Sequence, residues 1–184
     1  MPATKKAPRA DAQRNREKLL AAATSAFAAA DGPVALDAIA KAAGVANGTL
    51  YRHFPTREDL VEAVYHDQVR RLQAQAAQLL AAHPPAVAFR LWTEAFADWA
   101  STKHGMVDAL ASIMAGGRLS MGQMRESLVG IVADFLAAGR AAGDLRSDVE
   151  AADVAALLAG VLNVAAQRDQ VLRMLNLVVD GLEL

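Results

Sequence analysis

The chain has 184 residues and a formal net charge of −1, enough length for one large domain or two small ones to bury a core without cross-links. It contains no cysteine, which excludes disulfides, thiolate metal sites and thiol catalysis and agrees with a reducing cytoplasm. The longest charge-free apolar run, 154–167, is fourteen residues long, whereas a bilayer span needs roughly 20; the start is basic and polar with no apolar block, so a cytoplasmic protein with no membrane partner is expected.

Ala, Leu, Arg and Glu dominate and no segment shows the strict alternation of a strand, so the fold class is all-α, with about nine helices. Residues 1–10 read as a flexible basic arm carrying Lys5, Lys6 and Arg9. A first helix starts near Asp11, with Leu20, Ala23 and Phe27 on one face, and Asp31-Gly32-Pro33 ends it. The next two helices are short, with Gly44 between them. Thr56 then caps a helix of more than twenty residues, with Asp59 three positions on, and His83-Pro84-Pro85 stops it. Five more helices follow, over 85–102, 106–115, 120–142, 149–167 and 169–184, punctuated by Gly105, Gly116-Gly117 and Gly143-Asp144.

The charge is unevenly placed. Residues 1–57 carry nine Lys or Arg against four Asp or Glu, and the remainder ten against sixteen. A basic head on an acidic body fits a polyanion bound at one end, because phosphate affinity comes largely from released counterions. Within the head, Leu36, Ile39 and Ala40 make an apolar face barely two turns long; Ala43-Gly44-Val45 makes a tight turn, and Leu50 and Phe54 resume burial. Two short helices joined by a glycine-containing turn are the helix-turn-helix arrangement, whose second helix enters the major groove of DNA. Many helical hairpins also contain such a glycine, so spacing alone leaves both readings open. Leu50 and Phe54, four apart, anchor the second helix and leave Asn47, Thr49, Tyr51 and His53 for other faces.

The stretch AGVANGTLYRHFPTREDLVEAV resembles the recognition segment of the TetR family of transcription regulators, with the likeness covering about residues 11–66. The resemblance implies an N-terminal three-helix helix-turn-helix head over 11–57 and a larger helical body over 58–184 that binds a small molecule and dimerises. It also implies DNA contacts from Lys41, Ala46, Asn47, Gly48, Thr49, Tyr51, Arg52, His53 and Arg57. In that scheme Asn47 and Thr49 face base edges, Tyr51 and His53 approach phosphates, and Arg57 holds the DNA backbone. Asn pairs with adenine and the Thr methyl touches thymine, whereas Tyr, His and Arg donate to phosphate oxygens. The chain departs from the family by having Ala35 and Ala46 where the two motif helices commonly have a Ser or Thr cap. Asn47 in place of Ala46 is the alternative cap, which would withdraw it from the bases.

In the body, Leu157, Leu158, Val161 and Leu162, with Val171, Met174, Leu175 and Val178, suggest two apolar helical surfaces. They form either a four-helix homodimer interface or an internal core. Trp92, Phe96 and Trp99, with Met106, Met114, Met124 and Phe135, are the candidate lining of a small-molecule pocket, against ordinary core as the simpler reading. His104 and Arg118 would add polar specificity or stay solvated. The late LLAGVLNVA is similar to the SbtR-like ligand domain of the same family. The partners expected are therefore a double-stranded DNA operator, a small-molecule inducer and a second copy of the chain, with a repressor released by ligand as the function.

Two rivals stand beside this reading. An enzyme lacks a Walker loop, a dinucleotide fingerprint, HExxH and G-x-S-x-G here. His53, His66, His83 and His104 are scattered, so neither a metal nor a cofactor is expected. The second rival is a helical ligand-binding or scaffold protein whose head no longer reads sequence.

Overall fold

The computed structural model describes residues 8–30, 32, 34–164 and 167–184, with the side chains at 8, 9 and 101–104 outside the description. Among the described residues there are nine helices and no strand: α1 (Pro8–Ala28), α2 (Leu36–Ala42), α3 (Asn47–His53), α4 (Arg57–Ala82), α5 (Pro85–His104), α6 (Val107–Ala115), α7 (Met121–Ala142), α8 (Ala151–Val164) and α9 (Arg168–Asp180). None of them is long and apolar enough to cross a membrane. Lys5 and Lys6 of the expected arm, Asp31 and Pro33 of the first stop, and the Arg9 side chain lie outside the described residues.

Helix ends follow local chemistry. Thr56 N donates to Asp59 Oδ2 at 2.9 Å and Asp59 N to Thr56 Oγ1 at 3.1 Å, closing a reciprocal cap on α4. Ser120 and Gln123 form the same box at α7, which Gly143 ends at φ 78° in the left-handed region. α9 stops at Asp180, short of the expected 184, because the last residues turn back on the segment after α7. There Arg146 N donates to the Leu182 carbonyl at 2.9 Å and Leu184 N to the Asp144 carbonyl at 3.3 Å.

The chain divides into two compact units: residues up to Asp67 with 102–113, and 68–101 with 114–184. The first unit runs past residue 57, the expected end of the head. Leu60, Val61, Val64 and Tyr65 on the first turns of α4 are all buried and belong to unit 1, and α6 returns to it. The return requires glycine at 105, since a Cβ there would lie 2.2 Å from the Phe27 carbonyl oxygen.

Unit 2 is built on aromatic packing. The rings of Phe89 and Phe135 stack at 4.7 Å, Trp92 and Phe96 at 5.1 Å, and Phe96 and Trp99 at 5.4 Å. Trp92 also donates its indole N–H to the Leu72 carbonyl at 3.0 Å, so the buried polar edge of the ring is satisfied. α7 packs on α8 and α8 on α9, burying Leu158, Val161, Leu162, Val171 and Leu175 with the aromatic cluster. At the surface Arg90 pairs with Asp180 at 2.7 Å and Glu183 at 2.5 Å, and Arg168 with Asp98 at 2.7 Å. Such exposed pairs fix geometry more than they stabilise.

Candidate nucleic-acid interface

In unit 1, α1, α2 and α3 pack on one another. Ile39 and Ala40 of α2, Leu50 of α3 and Phe54 just after it are buried, while Leu36 is half-buried. The turn between α2 and α3 closes through Ala43 N to Ile39 O at 2.9 Å and Val45 N to Ala40 O at 3.0 Å. Gly44 stands there at φ 67° with open space where a Cβ would be, so backbone conformation and not crowding selects glycine.

Ala35 and Ala46 occupy the N-cap positions of α2 and α3 in extended conformation, with no side-chain cap on either helix. Asn47 therefore lies inside the first turn of α3, not at its cap, and its side chain is exposed. Lys41, Ala46, Gly48 and Arg52 are exposed as well, Tyr51 is 46% exposed, and Thr49 is half-buried. One face of α3 is thus anchored by Leu50 while the other offers an amide, a phenol and a guanidinium. These groups can donate to phosphate oxygens and base edges.

Two residues expected to hold phosphate make contacts within the head. The Nε2 atom of His53 is buried without a hydrogen-bond partner, and the ring sits 6.2 Å from Phe54. Burial first, and then the charges of Arg52 and Arg16, lower its pKa from the ordinary 6.5. The shift favours the neutral imidazole, and the Nε2 atom is turned into the protein. Arg57 donates to the Val34 carbonyl, and its guanidinium lies 5.7 Å over the Phe27 ring. Arg16, which the sequence reading did not single out, lies in the same way 5.5 Å over Phe54. No local spacing pointed to Arg16, because the ring it covers, Phe54, follows α3 and lies 38 positions further along the chain.

The candidate pocket residues fall in both compact units. Trp92, Phe96 and Phe135 are fully buried in the stacked core of unit 2, where Phe89, not foreseen, joins them. Trp99, Met114 and Met124 are half-buried in unit 2 and Arg118 is exposed. Met106 is buried but belongs to unit 1, and the His104 side chain lies outside the description.

The candidate dimer residues also divide. Leu158, Val161, Leu162, Val171 and Leu175 are buried within the chain itself, Met174 and Val178 are half-buried, and only Leu157 faces solvent, at 58% exposed. The division has a simple cause: α8 is apolar on nearly every side, so periodicity could not say which stripe faces inward. Val164 and Leu177, not singled out by the pattern, are each 70% exposed; Val164 lies seven residues after Leu157, on the same face.

A glycine-turned pair of short helices with a solvent-facing second helix defines a helix-turn-helix protein. Residues 19–64 match the model for bacterial regulatory proteins of the TetR family, and residues 84–184 that for the C-terminal domain of SbtR-like transcriptional regulators. A TetR transcriptional regulator of Streptomyces coelicolor is 44% identical at a TM-score of 0.81, over 91% of this chain and 98% of its own. A TetR regulatory protein of Mycobacterium vanbaalenii is 37% identical at 0.74, over 96% and 99%. A gamma-butyrolactone receptor shares the fold at 0.61 and 21% identity, over 94% and 90%. No curated protein matches the chain. The chain belongs to the TetR family of bacterial transcriptional regulators, and is a DNA-binding regulator.

Proposed function

We propose that the protein works as a homodimeric repressor that holds a near-palindromic operator through two copies of α3 and leaves it when a small molecule binds unit 2. The observation that carries this reading is α3 itself, with Asn47, Tyr51 and Arg52 exposed above a buried Leu50. Tyr51, Arg52 and Lys41 bind phosphates, while Asn47 and the Thr49 methyl read base edges.

Dimerisation is supported by the outer faces of α8 and α9. Leu157 and Val164 are exposed on α8 with Ala156 and Gly160 beside them, and Leu177 is exposed on α9. Small residues flanking large apolar ones let two helix pairs approach closely and bury them. A two-fold pair places the α3 copies about one DNA turn, roughly 34 Å, apart. The fold shared with a gamma-butyrolactone receptor supports a small-molecule ligand, which acts by binding the DNA-incompetent conformation more tightly, typically by about 1–3 kcal/mol.

Selection of bound duplexes from a random pool tests the reading. Enrichment of one palindrome is the expected result, with Tyr51→Phe plus Thr49→Ala reducing its preference over competitor DNA about tenfold. Retention governed by salt alone, with no sequence enriched, would instead favour a head that no longer reads DNA. Leu177→Arg should convert the dimer to monomer in sedimentation and abolish selection of paired half-sites.

A further inference from the structure

α2 and α3 lack the side-chain caps that ordinarily fix where a helix starts. Something else must hold their entry points, because a helix of two turns has little cooperativity of its own. Val34 is the residue just before the N-cap Ala35, and its carbonyl accepts from the Arg57 guanidinium across 23 positions of sequence. The same guanidinium lies over Phe27 at 5.7 Å, and Arg57 is itself the first residue of α4, whose start is closed by the Thr56–Asp59 exchange. One planar side chain therefore ties the end of α1, the entry to α2 and the first turn of α4 together.

From this geometry we infer that Arg57 is a positioning residue for DNA reading and not a phosphate ligand: it sets α2, and through it α3, against the first turn of α4. The inference rests on the chain being a DNA reader. A planar fork can stack on a ring while its edge donates to a carbonyl, and an ammonium cannot do both. Lysine keeps the charge and loses the clamp.

The salt dependence of binding separates clamp from ligand, because each phosphate contact contributes about one to the slope of log affinity against log salt. Wild type, Arg57→Gln, Arg57→Lys and Arg52→Gln are titrated at several salt concentrations with the duplex that wild type enriches from a random pool. Arg57→Gln is expected to weaken binding about tenfold or more with the slope unchanged. Arg57→Lys is expected not to restore affinity, whereas Arg52→Gln lowers the slope by about one. A slope lowered by about one in Arg57→Gln, or wild-type affinity in Arg57→Lys, overturns the inference. Should Arg57→Gln fail to fold, Arg57→Lys decides by its affinity alone. A wild type that enriches no duplex would instead sink the DNA-reading proposal, which keeps the two failures apart.

Discussion

Units 1 and 2 are built from the same helical material and held in different ways. Unit 2 rests on stacked rings, with Trp92, Phe89, Phe96 and Phe135 filling one another's faces. Its α7 carries both a capping box and a glycine stop. In unit 1 two helices start without side-chain caps and two arginines lie over phenylalanine rings. A body that must be a firm scaffold can spend its residues on packing. A head that must present polar groups to DNA leaves one face of α3 unpacked, so its alignment depends on a few specific contacts.

The comparison is tested most severely at the centre of unit 2. Phe135→Ala removes a ring stacked with Phe89 and should cost about 4 kcal/mol in urea unfolding; a loss under about 1 kcal/mol would mean that the aromatic stack is not what holds the unit. Gly105→Ala comes next. Its methyl would meet the backbone carbonyl of Phe27, so a loss of about 3 kcal/mol and weaker DNA binding are expected. Full stability in that variant would show that α6 need not return to the head.

A gain is expected at a missing cap. Ala35→Ser supplies an acceptor to the orphan amides of α2 and should stabilise unit 1 by about 1 kcal/mol, read as a higher melting midpoint. The smallest effect is electrostatic. The pKa of His53 is held below 6.5 in the folded head, so its contribution to stability is complete above that value and lost as the pH falls through the depressed folded value. Melting midpoints of wild type should therefore drop more than those of His53→Gln between neutral and mildly acidic pH. Equal drops would show that the imidazole is not confined as its geometry implies.

Much of this was legible beforehand. The helix count, the proline and glycine stops, and the Thr56 and Ser120 starts follow from local chemistry, which acts within a turn. Gly44, Leu50 and Phe54 marked the turn and the buried side of α3 for the same reason. What could not be read was any choice between apolar faces. Leu158 and Leu157 are neighbours of one type, yet one is buried and the other 58% exposed.

The sequence alone determined an all-helical chain with a helix-turn-helix head, since periodicity, breakers and turn residues are properties of a few consecutive positions. Only tertiary structure decided that His53 turns Nε2 inward, that Arg57 grips Val34 and Phe27, that residues 102–113 rejoin the head, and that Leu157, Val164 and Leu177 face solvent. Each of these depends on which distant element lies opposite a side chain, and such partners leave no mark within the span of one helix.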